Sequence, residues 1–254
     1  MSMSDAIGMR VLAWRYRLFQ DPREIRFMLR HLGPGDTAVD IGAHKGAYSY
    51  WMVQAVGPKG RVVCFEPQPA LIHHLRRVKD KLHLDRLDVV PFAVSSRRGD
   101  RSLSVPGEGP NPAGTLETAL TGSAHLIYLV GATSLDSHFP PGTPVKFIKC
   151  DVEGHEYDVF LGGGRLLKEQ RPILLFEREE AGHPRHAGRD VFALLQGLDY
   201  VGAFFSPRGL RPLAEFDPER HGQPGSPEYS HSFVFRARET LTGLARATPP
   251  ARLR

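Results

Sequence analysis

The sequence predicts an α/β protein built on a mostly parallel β-sheet with helices on both faces. Two observations carry this reading. Short strands that are apolar almost throughout alternate with helical stretches between residues 37 and 94, the pattern of strands buried on both faces. The first two strands end at a glycine loop beginning at Gly42 and at Glu66, the edge at which open α/β sheets hold ligands. Hydrophobic residues make up 41% of the 254 and charged residues 24%. That supports one large core and excludes a disordered, collagenous or coiled-coil chain.

Residues 1–34 read as a helical cap. Asp21-Pro22 is a helix start, a capping residue before proline, and Ile25, Met28, Leu29 and Leu32 recur at helical spacing. A strand over 37–41 leads through Gly42-Ala43-His44-Lys45-Gly46 into a helix over 48–56. A second strand over 61–65 ends at Glu66-Pro67, a basic helix covers 70–81, and a third strand spans 87–94. Residues 95–131 are rich in Gly, Pro, Ser and Thr and read as an insertion whose short alternating runs suggest a hairpin. A fourth strand over 145–150, helices over 156–161 and up to 170, and a fifth strand over 172–176 ending in Glu177 follow. An amphipathic helix over 190–198 carries Val191, Leu194, Leu195 and Leu198 on one stripe. Two strands, over 200–205 and 232–236, close the sheet around a Pro/Gly-rich loop over 207–227. The sheet domain is thus expected over 35–240, with 241–254 as a flexible basic tail.

The chain carries 33 Lys and Arg against 28 Asp and Glu, a formal charge of +5. Part of the excess lies over 236–254, which holds five Arg and one Glu. Such a balance bears on association and solubility, and favours acidic partners only mildly. Cys64 and Cys150 each sit in an apolar run without the spacing of a disulfide scaffold or zinc ribbon. They read as reduced core residues of a cytoplasmic protein. The N-terminal stretch, broken by Asp5, Arg10, Arg15 and Arg17, lacks the apolar run of a secretion signal. No segment approaches the roughly 18 apolar residues of a membrane span.

The loop Asp40-Ile41-Gly42-Ala43-His44-Lys45-Gly46 lies where a strand hands over to a helix. Small residues there let a ligand approach the backbone, and the helix N-terminus offers free N–H groups. Glu66 follows Asp40 by 26 residues at the next strand's tip, where a carboxylate can accept both hydroxyls of a ribose. The spacing G-x-x-x-G, with an acid two positions before the first glycine, departs from the dinucleotide fingerprint, and no P-loop Lys-Ser/Thr pair is present. An acid at the first strand tip suits a ligand bearing a cation, such as the amino group of a methionine-derived sulfonium. The alternative is a tight turn beside a solvated Glu66.

A second constellation, Lys149-Cys150-Asp151-Val152-Glu153-Gly154-His155-Glu156, ends the fourth strand. If the chain stays extended to Glu153, then Lys149, Asp151 and Glu153 share one side of the strand. A lysine between carboxylates holds them ionised, so one could take a proton from a hydroxyl while the other orients cofactor or acceptor. The alternative is an ion-pair cluster tying the strand to the next helix, with Glu156 favouring that helix's N-terminus. A divalent cation held by Asp151, Glu153 and Glu177 is a further, weaker reading, since hard carboxylates suit magnesium.

The segments VDIGAHKGAYSYWM, GRVVCFEPQP, VPFAVSS, TSLDSHF, KFIKCDVEGHEYDVFLGG and PILLFERE resemble, in order and spacing, the FkbM-type S-adenosylmethionine-dependent methyltransferases over residues 20–205. The resemblance implies a class I methyltransferase fold, with a seven-stranded sheet whose last strand is reversed, and O-methylation of hydroxyls on sugars and natural products. It implies that Asp40, Gly42, Ala43, His44 and Gly46 line the methionine part of S-adenosyl-L-methionine, that Glu66 holds the ribose, and that Ser95 lies near the adenine. Asp151 and Glu153 would face the transferred methyl group, with Lys149 beside them. His44 and Lys45 stand where the family often has Asn and an apolar residue.

The expected activity is therefore methyl transfer to a small-molecule acceptor with a free hydroxyl, with Asp151 or Glu153 as base. Rival readings are an RNA or other nucleic-acid methyltransferase, prompted by the charge and the basic helix carrying His73, His74, Arg76, Arg77, Lys79 and Lys81, a non-catalytic cofactor-binding protein, and a structural interaction protein with a degenerate site. Nucleic acid is disfavoured because no binding module is visible. His183-Pro184-Arg185-His186 reads as a polar loop without a third metal ligand. Trp14, Tyr16 and Phe19 pack the first helix onto the sheet, or belong to a lid or homodimer contact. Acceptor selectivity is expected from loops 95–131 and 207–227.

Overall fold

The computed structural model describes residues 4–107, 111, 113–117, 125–178 and 190–240. The 241–254 tail, part of the 95–131 insertion and the His183/His186 pair lie outside these residues. The chain opens with α1 (Ser4–Arg15), a π-helical turn at Tyr16–Gln20, and α2 (Pro22–His31), followed by β1 (Thr37–Ile41), α3 (Ala47–Val56), β2 (Arg61–Phe65), α4 (Pro69–Leu82) and β3 (Leu87–Val90). Next come β4 (Ala93–Val94), β5 (Gly99–Pro106), β6 (His125–Thr133), α5 (Leu135–His138) and β7 (Phe147–Cys150). The last part holds α6 (Glu156–Leu161), α7 (Gly164–Gln170), β8 (Ile173–Glu177), α8 (Val191–Gly197), β9 (Tyr200–Ser206), β10 (Gly209–Pro212), α9 (Pro218–His221) and β11 (Ser232–Ala237).

The main sheet has the order β10-β9-β11-β8-β7-β1-β2-β3. β3, β2, β1, β7 and β8 run parallel, and β11 is antiparallel to both β8 and β9. The reversed last strand is thus present, but the sheet has eight strands rather than the expected seven. The additional strand, β10, comes from the segment expected to be loop. Ser206 Oγ accepts from Arg208 N–H and donates to Gly209 O, and Gly209 takes φ 118°. That turn folds Leu210 and Arg211 back onto Phe205 and Phe204.

The expected third strand over 87–94 is also divided. Pro91 has no N–H to give to a ladder, and the chain leaves the main sheet there. Ala93 and Val94 pair instead with Ala132 and Thr133 of β6. With the β5–β6 hairpin they make a separate three-stranded sheet, order β4-β6-β5.

Alternation along the parallel strands builds two cores, one on each face. Val39, Ile41, Val63, Phe65, Ile148 and Cys150 face the layer of α5 to α8. Ala38, Val62, Cys64, Phe147 and Leu175 face α1 to α4. Both cysteines are free and fully buried on β2 and β7. The same alternation puts Asp40 and Lys149, register partners on β1 and β7, on the α3 side. Among the described residues no helix is long and apolar enough to cross a membrane.

Phe176 centres the aromatic part of the first core, with ring centroids 5.3 Å from Phe160, 5.6 Å from Phe235 and 6.0 Å from Phe233. It is fully buried, so Phe176→Ala should cost about 3–5 kcal/mol through lost transfer energy and a residual cavity. Urea denaturation of the two proteins measures this; a change under about 1 kcal/mol would mean the site collapses freely.

Candidate active site

The β1–α3 loop sets the floor of a cavity at the carboxyl ends of the parallel strands. Gly42 and Ala43 donate their N–H groups to Phe65 O at 3.0 and 3.1 Å. Gly42 has φ 77°, and a Cβ there would lie 1.8 Å from the Asp151 carbonyl oxygen, so only glycine lets this loop meet the end of β7. His44 also adopts a left-handed φ, 49°, a conformation that His, like Asn and Asp, occupies more readily than most residues. This turns its N–H toward Glu66 Oε2 at 2.8 Å, while Gln68 N–H donates to Glu66 Oε1 at 2.9 Å. Burial raises the Glu66 carboxyl to about 7 despite these two bonds, and lowers His44 to about 4.

A buried lysine lies at the centre of the second group. Lys149 is 4% exposed, with Nζ 2.8 Å from Asp151 Oδ2 and 4.0 Å from Glu177 Oε1. It also lies 4.7 Å from the Tyr48 ring centroid. Burial opposes its charge, but Asp151, Glu177 and Asp40 outweigh that and hold its pKa above the ordinary lysine value. Burial raises Asp40 and Asp151 above the usual carboxylate range. It opposes ionisation of Glu177 too, where the bond from His231 and the charge of Lys149 win and lower the pKa. Asp40 Oδ2 accepts from Ser49 Oγ at 2.5 Å, whereas Asp40 Oδ1 is buried without a hydrogen-bond partner.

Of the residues singled out in the sequence, Asp40, Gly42, Ala43, His44, Glu66, Lys149, Asp151, Glu153 and Glu177 line this one cavity. Gly46 and Ser95 are not among its lining residues. Gly46 serves as the left-handed N-cap of α3, φ 84°, and Ser95 Oγ is bonded to His155 Nε2 at 3.0 Å. The strand does not stay extended to Glu153. It ends at Cys150, and Glu153 and Gly154 take φ 51° and 93°, a tight turn that places Glu153 out of line with Lys149 and Asp151. Lys149 is therefore flanked by Asp151 and Glu177, not by Asp151 and Glu153. Glu156 has the structural role: its Oε1 accepts from Gly154 N–H at 3.1 Å and Val152 N–H at 3.4 Å.

The ammonium of Lys149 sits where a cation between Asp151 and Glu177 would have to sit, so the structure does not bring Asp151, Glu153 and Glu177 together as metal ligands. Among the described residues the group able to hold a metal is Glu117, His155 and Asp158, with ligand atoms within 4.8 Å of one another. Both His155 nitrogens already have partners there, Glu117 Oε1 at 2.7 Å and Ser95 Oγ at 3.0 Å.

Of the N-terminal wall, sequence reasoning singled out Tyr16, as a packing, lid or dimer-contact residue, and Asp21 only as a helix cap. Leu12, Tyr16, Gln20 and Asp21 line the cavity. Asp21 precedes α2 but makes no side-chain capping bond; instead its Oδ2 accepts from Tyr48 OH at 3.1 Å. Burial, reinforced by Glu177, raises it to about 6. Its position before proline fitted a cap equally well, so no sequence signal separated the two. Of the segments expected to confer selectivity, the insertion supplies Leu103, Gly114 and Leu116 to the wall, and 207–227 supplies none. The insertion is also tied to the acidic turn, Thr115 Oγ1 donating to Glu153 O at 2.8 Å. Phe19 does not pack on the sheet: it is 77% exposed, and Trp14, 46% exposed, meets the edge of Trp51 and the Arg17 guanidinium 5.0 Å from its ring centroid.

Sheet order and crevice together define a class I methyltransferase fold. The chain belongs to the FkbM methyltransferase family: residues 40–201 match the Methyltransferase FkbM domain. It is 28% identical over 155 residues to the hexuronic acid methyltransferase AglP of Haloferax volcanii, covering 59% of each chain. It is 27% identical over 195 residues to the 2-O-methyltransferase NoeI of Sinorhizobium fredii, covering 70% of this chain and 77% of the relative. Cofactor-bound Rv0187 from MTB superposes with a TM-score of 0.50 at 13% identity, covering 93% of this chain and 91% of that one.

A carboxyl raised in the fold holds its proton more tightly there than in the unfolded chain. The stability from Glu66 and Glu156, both near 7, is thus full below the ordinary glutamate value and lost as pH rises through about 7. A ligand whose hydroxyls bond to the ionised Glu66 has the opposite sign. Affinity for such a ligand should rise about tenfold between pH 6 and 8, following ionisation of a group near 7, and Glu66→Gln should flatten the profile. Calorimetric titration across that range measures both; a sloping profile in the variant would assign the dependence elsewhere.

Proposed function

We propose that the protein is an S-adenosyl-L-methionine-dependent O-methyltransferase acting on a hydroxyl of a small molecule, a sugar or a natural product. The observation that carries this is that Glu66, Asp40 and Asp151 line one cavity. The residues fit the cofactor. Asp40 Oδ1, buried and without a partner, would take the ammonium of its methionine part, and Glu66, steadied by two backbone N–H groups, would accept its ribose hydroxyls. The bare Cα of Gly42 gives the close backbone approach. The names of the two relatives, a hexuronic acid methyltransferase and a 2-O-methyltransferase, support an oxygen on a sugar-like acceptor. The chain spans 59% of the first relative's length, so its acceptor is part of the proposal.

The bound cofactor supplies a methyl group already activated on a sulfonium, which leaves the protein chiefly the work of alignment. Asp151 is the base. It lines the cavity with 32% of its side chain accessible, and its raised pKa brings it nearer to working pH, where a general base is most effective. Lys149, bonded to it at 2.8 Å, fixes its orientation and balances the charge left when the acceptor hydroxyl gives up its proton. Leu12, Leu103 and Leu116 on the cavity wall help exclude water from the reacting atoms.

Transfer of labelled methyl groups to a panel of uronic acids and neutral sugars tests this. Asp151→Asn should lower turnover about 10²–10⁴-fold, the usual worth of a general base, with cofactor affinity little changed. If Asp151→Asn and Glu153→Gln both retain wild-type turnover, neither carboxylate is the base and the reading is wrong.

A further inference from the structure

We propose that the outer face of α1 and the turn after it docks onto an anionic lipid bilayer surface. Ile7, Val11, Trp14 and Leu18 are exposed by 52%, 61%, 46% and 54%, with Phe19 beside them. Steps of four, three and four residues place them in one stripe. The opposite side of the helix, at Met9 and Ala13, is buried against α3 and α4. A surface helix normally turns its polar face outward; this one is apolar on both faces, and a contiguous apolar stripe marks a contact surface.

Charge identifies what fits the stripe. Residues 6–20 contain Arg10, Arg15 and Arg17 and no acidic residue, and Arg10 and Arg15 border the stripe. On α4, which packs beside α1, Arg76, Arg77 and Lys81 are exposed against a single exposed acid, Asp80. A second copy of the chain is a poor occupant. A two-fold contact sets the same patch against itself, which would bring Arg10 and Arg15 against their own copies, a repulsive juxtaposition with no acidic side chain lining the stripe to relieve it. A layer of anionic headgroups meets both requirements at once. Trp, Leu and Phe enter the boundary between headgroups and acyl chains while Arg side chains meet the phosphates. Leu12 and Tyr16 of the same segment line the cavity, so the docked segment is also a wall of the site.

The full-length protein, sedimented with vesicles of phosphatidylcholine containing phosphatidylglycerol or with phosphatidylcholine alone, provides the test. Trp14 is also a reporter, because Trp51, the second of two tryptophans, is already buried at 6% exposure. Binding should favour anionic over neutral vesicles by about tenfold or more, weaken with salt, and shift tryptophan emission to the blue. Val11→Ser, Leu18→Ser and Phe19→Ser together should lower binding about tenfold or more, whereas Arg10→Gln with Arg15→Gln should abolish the anionic preference. None of these five residues lines the cavity, and unchanged cofactor affinity shows that the variants are folded. Equal binding to both vesicle types, or none, overturns the proposal. So does a dimer in sedimentation velocity that the serine variant dissociates, an outcome that assigns the stripe to a second copy.

Discussion

One buried ammonium organises the carboxyl edge of the sheet. Lys149 stands one residue before the end of β7, in register with Asp40 on β1 and within 4.0 Å of carboxylates at Asp151 and on β8 at Glu177. Moving any one of these ions out of water costs several kcal/mol, and the three acids come from one short stretch of adjacent strands. A single cation among three carboxylates cannot neutralise them all. The structure shows the result as a graded set: Asp40 and Asp151 are raised, Glu177 is lowered with the help of His231, and Lys149 is held firmly charged. Without the ammonium, Asp40 and Asp151 would have no cation to offset their burial, and Glu177 would have His231 alone.

That cluster also constrains the chain around it. For Asp151 to face Lys149, the end of β7 must pass close to the β1–α3 loop, where a Cβ on Gly42 would overlap the Asp151 carbonyl. Tyr48, at the start of α3, covers the ammonium with its ring and bonds Asp21 through its hydroxyl, which draws the N-terminal segment over the cavity. The insertion closes in from elsewhere, through Thr115 on the Glu153 carbonyl and Glu117 on His155. The residues proposed for the cofactor and the proposed base therefore share one electrostatic centre, and the N-terminal segment and the insertion supply the walls.

The repeating part of the fold was legible because its signals are local. Apolar strands closed by glycine or acid, and helices opened by a capping residue before proline, rest on hydrogen bonding and burial within a few residues. Asp40, Glu66 and Asp151 were legible for the same reason, each sitting where such an element ends. The rest depends on what meets in space. A proline at 91 broke an apolar run that otherwise reads as one strand, and a serine-centred turn at 206–209 made a strand from a segment rich in Pro and Gly. Extended geometry predicted Glu153 beside Lys149; left-handed backbone at 153 and 154 removed it, and Glu177, far along the chain, took the place. Asp21 shows the limit most plainly, since the same residue before the same proline serves a cap or a cavity equally well.

The net charge of +5 conceals two regions of opposite sign. The cavity wall carries Asp21, Asp40, Glu66, Asp151, Glu153 and Glu177 against Lys45 and Lys149, an acidic interior within a basic chain. A phosphodiester strand entering it would meet six acidic side chains against two lysines, one of them already paired with Asp151, and unfavourable charge in a desolvated site weighs more than at the surface. A neutral polyol meets hydrogen-bond acceptors instead, and its proton has somewhere to go. The compensating positive charge lies outside, on the exposed faces of α1 and α4, where screening by salt makes it useful for attraction over short distances and costs the fold little. The signs are thus separated in space: the exposed helices, not the cavity, are where the chain offers positive charge, and the cavity offers mainly hydrogen-bond acceptors.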